Sequence, residues 1–199
     1  MSASAEQIKA LRQATGAGVL DCRTALEQTG GDLEKAAELL RQKGLAAADK
    51  LAEREAREGM LELYSHGDGR VGVMVEVNCE TDFVGRTTEF RRFAHEIALQ
   101  VAANGPRWID VGDVPPEVVE EQRRQARLLA KQEGKPDSVI ERIVEGKLQK
   151  FYDDACLLRQ PYIRDDSKTV GDVLREMIAT TRENITIRRF VRWAVGESA

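Results

Sequence analysis

Residues 71, 73, 75 and 77 are all valine, alternating with Gly72, Met74 and Glu76. A strict period of two places all four valines on one face of a strand, whereas a helix repeats its apolar groups every three or four residues. The turn-forming run His66-Gly67-Asp68-Gly69 precedes it, and a second apolar stretch at 60–64 lies before that turn. Two arms around such a turn predict a hairpin over 60–64 and 70–78. A lone hairpin is marginal in water, so the rest of the chain must supply a third strand or a helical cover.

On either side of the hairpin the period is helical. Ser4 and Gln7 form a capping-box pattern before Ile8 and Leu11, and Gly16 is placed to end that helix. Val19–Gln28 carries Val19, Cys22, Ala25 and Leu26 and stops at Gly30-Gly31. Asp32 caps a third helix with Leu33, Ala36, Ala37, Leu39 and Leu40 on one side, which Gly44 is expected to close. Residues 50–57 are polar, lack Gly and Pro, and suggest an exposed helical connector. Beyond the hairpin, Thr88–Asn104 places Phe90, Phe93, Ala94, Ile97, Ala98 and Val101 on one stripe before Gly105-Pro106. Further helices are expected from Pro116 to about residue 134, after Pro136 (Val139, Ile140, Ile143, Val144 and Leu148 inward), and from Thr169-Asp172 to about residue 183. Residues 185–195 are expected to form a last strand. The fold class is α+β, a small antiparallel sheet covered by helices, divided as a three-helix module over 1–45, a helical connector over 46–58 and a core over 59–199.

Composition narrows the function. Lys plus Arg number 30 against 34 Asp plus Glu in 199 residues, a net charge of −4, which argues against a dedicated nucleic-acid binder. No apolar run approaches the roughly 20 residues that cross a bilayer, and the N-terminus lacks the apolar core of a secretory signal. Cys22, Cys79 and Cys156 are odd in number and widely spaced, so a disulfide framework is not expected and a reducing cytoplasm is. With His66 and His95 the only histidines, little His-based catalysis is available.

The remaining motifs have a bland and a sharp reading each. Gly67-x-Gly69-x-x-Gly72 matches a dinucleotide fingerprint by letter, but a strand follows it instead of a helix, so the glycines serve a turn. The cysteines show no local pairing of the kind zinc requires. Cys79 with His66 or His95 is a conceivable nucleophile and base, and a structural buried cysteine is the simpler reading. Arg188, Arg189 and Arg192, beside Phe190 and Trp193, fit a solvated sheet face better than an RNA platform, since no wider basic stripe supports them. Thr81-Asp82-Phe83-Val84 joins the buried strand to the following helix and must lie at a sheet edge. Either Phe83 folds back on the core while Thr81 or Asp82 caps the helix, or Phe83 projects as an apolar wedge with an acid beside it.

Two long motifs carry a resemblance. Glu76-Val77-Asn78-Cys79-Glu80-Thr81-Asp82-Phe83-Val84-Gly85-Arg86 resembles the core signature of bacterial translation elongation factor Ts. Leu11-Arg12-Gln13-Ala14-Thr15-Gly16-Ala17-Gly18-Val19-Leu20-Asp21-Cys22-Arg23-Thr24-Ala25-Leu26 is similar to its N-terminal signature. The run Glu183-Asn184-Ile185-Thr186-Ile187-Arg188-Arg189-Phe190 is also similar. The departures are Val19-Leu20 where a Met-Met pair is common, Arg23 for a lysine, and Gly85 for an alanine or serine, the last expected to loosen its loop.

The resemblance implies an N-terminal ubiquitin-associated-like bundle and guanine-nucleotide exchange on elongation factor Tu, in its GDP-bound and nucleotide-free states, in the cytoplasm. Phe83 would enter an apolar slot of that GTPase while Asp82 disturbs its magnesium shell, with Thr81 and Val84 completing the wedge. The three-helix module would hold the same partner through Arg12, Gly16, Gly18, Val19 and Leu20. Such a factor breaks no covalent bond and is no enzyme in that sense. It implies no cofactor, catalytic residue or metal of its own, no direct nucleic acid and no membrane. Longer members carry two related core subdomains, while this length holds one, which implies the short form and a homodimer. The short form can bridge chains through a cysteine in the last strand, but this sequence has Val191 near that place, so a covalent dimer is not expected. The rival functions are a non-catalytic adaptor built on the helical bundle, an RNA binder using the last strand, and a cysteine hydrolase.

Overall fold

The computed structural model describes residues 3–197, so the outermost residues of the expected divisions 1–45 and 59–199 lie outside it. The chain runs α1 (Ala5–Thr15), α2 (Val19–Gln28), α3 (Leu33–Leu51), β1 (Glu58–His66), β2 (Val71–Cys79), α4 (Asp82–Gly85) and α5 (Thr88–Asn104). It continues through α6 (Pro116–Gln132), α7 (Asp137–Ala155), β3 (Pro161–Tyr162), β4 (Asp165–Thr169), α8 (Val170–Thr181) and β5 (Thr186–Ala194). The fold is α+β. Its residues group into two compact units, one taking the chain up to Met60 with Val77–Phe93 and Leu174–Thr186, the other Leu61–Glu76, Ala94–Val173 and the chain from Ile187 on.

In the first unit α1, α2 and α3 pack pairwise around Leu11, Cys22, Ala25, Leu26 and Ala36. The caps follow the sequence. Ser4 Oγ accepts from Gln7 N at 3.1 Å while Gln7 Oε1 accepts from Ser4 N at 3.0 Å. Gly16 closes α1 at φ 67°, a conformation that a Cβ disfavours. Asp32 Oδ1 accepts from Lys35 N at the start of α3. Two expectations fail here. Gly44 does not end α3, which continues to Leu51. A Cβ at Gly44 would stand 3.0 Å from that of Ala179, so this glycine admits α8 at close range instead of breaking the helix. Only the first two residues of the expected helical stretch 50–57 are helical, and turns and irregular backbone lead from Leu51 to β1. Val19 and Leu33, the first residues of α2 and α3, are both exposed.

The three-stranded sheet has the order β1-β2-β5, placing the last strand beside the valine-rich one. In the second unit Val73 and Val75 are buried, as the alternation requires, and so are Ala94, Ile97, Ala98 and Val101 of the α5 stripe, while Val77, Phe90 and Phe93, which belong to the first unit, are buried as well. Within the second unit α5 meets β1 through His95, whose Nδ1 lies 2.8 Å from Glu62 Oε1 and whose ring stands edge-on to Tyr64. It meets β5 where Arg192 Nε donates to Ala102 O at 3.4 Å. The helical hairpin α6–α7 encloses Ala126, Ala130, Ile140 and Val144, while Val139, expected inward, is exposed in the first turn of α7. The short pair β3–β4 escaped the sequence reading because its residues are largely polar. Its anchor is the buried Gln100, whose amide donates to Pro161 O at 3.1 Å and accepts from Ile163 N at 2.9 Å. Thr169 and Asp172 cap α8 reciprocally, as expected. The helix stops at Thr181, two residues short of the expected end, where Arg182 takes φ 59°.

Candidate functional site

The segment after β2 begins by ending a strand. Cys79 is fully buried, and its Sγ donates to Thr81 O at 3.1 Å, turning the chain back over the end of the sheet. Thr81 then caps the single-turn α4, its Oγ1 accepting from Val84 N at 3.4 Å. Gly85 N returns to Thr81 O at 3.3 Å, and Thr87 Oγ1 donates to Val84 O before capping Phe90 N at the entry to α5. Gly85 is buried against the Cys79 sulfur and Gly59. The segment is therefore a hydrogen-bonded corner, and Phe83 sits at its apex 80% exposed. Of the two readings left open for Phe83, folding back on the core is excluded, while Thr81 is the cap that reading anticipated. Asp82, half-buried, pairs with Arg86 at 2.7 Å. An exposed phenylalanine loses the roughly 1.5–3 kcal/mol that burial of such a side chain contributes, so its position on a fixed corner points to a use outside the fold.

The N-terminal signature lies in the same unit. Gly18 opens α2 without a side-chain cap, and Val19 and Leu20 follow at its tip, 52% and 68% exposed. Arg12 is exposed at the end of α1, one turn before Gly16. Asp21, in the first turn of α2, pairs with Arg182. These five residues thus form one end of the bundle, with two adjacent apolar side chains facing out.

The cysteine-nucleophile reading has no geometry behind it. His66 Nδ1 lies 2.9 Å from Tyr64 Oη and His95 faces Glu62, so neither engages a thiol. Burial, and then the carboxylate of Glu183, pushes the Cys79 thiol up to about 11, and burial pushes Cys156 equally far. Thiols that stay protonated at neutral pH are poor nucleophiles. Of the dinucleotide-like glycines, Gly67 and Gly69 form the hairpin turn with Asp68, all three at positive φ, while Gly72 lies within β2. The arginines of β5 are engaged: Arg189 Nε donates to Glu76 at 2.6 Å, Arg188 stands 3.9 Å from the same carboxylate, and Arg192 pairs with Glu197. No cluster of metal-ligating side chains occurs among the described residues. No helix among them is long and apolar enough to cross a membrane.

One surface escaped the sequence reading altogether. Leu61 and Leu63 on β1, Met74 on β2, Val191 and Trp193 on β5 and Val195 directly after it are exposed. In their strands they alternate with Glu62, Val73, Val75 and Arg192, which are buried or turned to α5, so they share the other face of the sheet. The signal was present, because β1 and β5 alternate apolar with apolar or long amphipathic residues instead of with short polar ones.

A family model described as elongation factor TS matches residues 34–197. The chain is similar to elongation factor Ts of Coprothermobacter proteolyticus, 55% identical over 197 residues, 99% of this chain and 100% of that one. Against elongation factor Ts of Caldanaerobacter subterraneus it is 58% identical over 194 residues, 98% of this chain and 97% of the other. For Thermotoga neapolitana the figures are 54% over 197 residues and 99% of both chains. With more than half of its residues shared with these proteins end to end, the chain belongs to the elongation factor Ts family, a family of translation elongation.

Proposed function

We propose that this protein is a guanine-nucleotide exchange factor for elongation factor Tu and that the corner at Thr81, Asp82, Phe83 and Val84 is its wedge. The carrying observation is Phe83, 80% exposed on backbone fixed by hydrogen bonds. A ring presented this way enters an apolar slot without first paying the entropy of ordering its loop. Asp82 arrives beside it. Its present partner Arg86 is an exposed, exchangeable one, so the carboxylate is free to turn toward a cation shell or its ligands in the GTPase. Nucleotide held through magnesium and phosphate contacts loses affinity steeply when that geometry is displaced. By linkage, GDP weakens binding of the factor as much as the factor weakens GDP.

The bundle end formed by Arg12, Gly16, Gly18, Val19 and Leu20 is the second contact, supported by the two exposed apolar side chains at the tip of α2. A homodimer is the assembly proposed, with a second copy of the chain covering the apolar sheet face. That face holds Leu61, Leu63, Met74, Val191, Trp193 and Val195, and its acid Glu76 is already neutralised by Arg189. Two copies related by a two-fold axis stack it without opposing like charges. No covalent bond is made or broken in exchange, so the factor acts by shape and one carboxylate, in the cytoplasm where its partner works.

The test is stopped-flow release of labelled GDP from elongation factor Tu. Micromolar protein is expected to accelerate release. An unchanged rate, with binding to the GTPase intact, would replace exchange with the adaptor reading.

A further inference from the structure

The wedge corner is held by a residue about one hundred positions away in the chain. Glu183, in the connection between α8 and β5, turns its carboxylate onto the start of the corner. Its Oε2 accepts from Glu80 N at 3.1 Å and from Thr81 N at 3.0 Å, and its Oε1 accepts from Thr81 Oγ1 at 2.6 Å. Thr81 is then saturated: N–H and hydroxyl on Glu183, carbonyl on the Cys79 thiol and Gly85 N. The hold is returned, since Glu80 Oε1 accepts from Asn184 N at 2.6 Å. Asn184, buried, donates its side-chain amide to Ala52 O and Arg54 O, and Arg54 stands 3.6 Å from Glu80. The connection itself takes an uncommon conformation. Arg182, at φ 59°, is one of two non-glycine residues with positive φ among those described, and this turn is what brings Glu183 onto the corner. A left-handed non-glycine residue costs about 1–3 kcal/mol and persists where surrounding contacts impose it.

Three donors on one carboxylate, two of them consecutive backbone amides, fix the position and the direction of the segment that follows. We infer that Glu183 is a positioning residue for the wedge, setting where Phe83 and Asp82 stand relative to the body of the protein and touching neither the GTPase nor the nucleotide. This rests on the exchange reading of the corner. It assigns Glu183 a role inside the factor.

The test has two arms on the full chain. In the first, hydrogen exchange of the free protein is compared with that of Glu183→Ala. The amides of Glu80 and Thr81 are expected to lose about tenfold or more of their protection while those of Val71–Cys79 keep theirs. Unchanged protection at Glu80 and Thr81 overturns the inference. In the second arm, GDP release from elongation factor Tu is measured for Glu183→Ala, Phe83→Ala and the double variant. A positioning residue lowers the maximal rate by about tenfold or more with little change in half-saturating concentration, and adds nothing once Phe83 is gone. A full additional loss in the double variant overturns the inference, since Glu183 would then act independently of the wedge. If Glu183→Ala does not fold, Glu183→Gln, which keeps the side chain's size but removes its charge and one acceptor oxygen, is expected to show the same pattern at about threefold. If the unaltered protein fails to accelerate release, the exchange reading falls and the amide arm alone decides whether Glu183 holds the corner.

Discussion

Two places in one unit offer apolar side chains to the outside, and they are built differently. The tip of α2 presents Val19 and Leu20 on the first turn of a helix whose N-cap is Gly18, with no side-chain cap and one surface ion pair, Asp21 with Arg182, beside it. The corner at residues 79–87 presents Phe83 on backbone whose amides, carbonyls and hydroxyls bond to Cys79, Glu183, Val84 and Thr87. Surface ion pairs contribute about 0–1 kcal/mol, whereas the hydrogen bonds of the corner are numerous and partly charge-assisted. A tip of the first kind suits grip, since it settles onto a surface. A corner of the second kind suits displacement, because a wedge that yields cannot move what it enters. On the proposed function, then, damage to the corner acts on the maximal rate of exchange, and damage to the tip acts on the concentration needed.

The largest effect is expected beneath the corner. Gly59, at φ +137°, has Val77 O only 2.1 Å from where a Cβ would stand. Gly59→Ala therefore strains the backbone and drives a side chain into a strand carbonyl, and is expected to cost about 3 kcal/mol or more in urea unfolding. A variant with unchanged stability would show that β1 can move away from β2 at this end, and the corner would not then be a fixed platform.

Phe83→Ala is expected to leave stability within about 0.5 kcal/mol, because the ring is mostly in water, and to slow exchange by roughly thirtyfold or more, the scale of a binding hot spot. Loss of stability together with normal exchange would return Phe83 to a structural role. Leu20→Asp comes next. It places a charge on the α2 tip and is expected to raise the half-saturating concentration about tenfold, the equivalent of one 1.4 kcal/mol contact, with the maximal rate kept. If the maximal rate falls instead and the half-saturating concentration holds, the division between grip and wedge is wrong.

How far these differences were legible in the sequence depends on their range. The caps at Ser4, Asp32 and Thr169, the valine alternation and the α5 stripe are local patterns, and the structure carries them out. Gly44 misled because a glycine's letter does not say whether it ends a helix or admits a neighbour, and the neighbour, Ala179, is remote in the chain. The Thr81–Val84 segment could be located by its break in period, but the exposure of Phe83 depends on Glu183 and Cys79 holding Thr81, and one of these lies far away. The apolar outer face of the sheet went unnoticed because each strand contributes only a few of its residues, and strand order was needed to add them up.

Gly85 gives the smallest and most discriminating effect. The sequence suggested a glycine that loosens its loop, yet the residue is buried in α4 and a Cβ there would meet Cys79 Sγ at 3.5 Å and Gly59 Cα at 3.6 Å, ordinary contact distances. The corner is held by hydrogen bonds that a methyl group leaves untouched. Gly85→Ala is therefore expected to stabilise the protein by about 0.5–1 kcal/mol in thermal or urea unfolding, chiefly by restricting the unfolded chain, with exchange unchanged within about twofold. Destabilisation would mean that the Cys79 sulfur and the β1 backbone leave no room for the methyl. Slower exchange in a more stable protein would be the more damaging outcome. It would show that the wedge needs freedom at its base, and that its rigidity is not what separates it from the α2 tip.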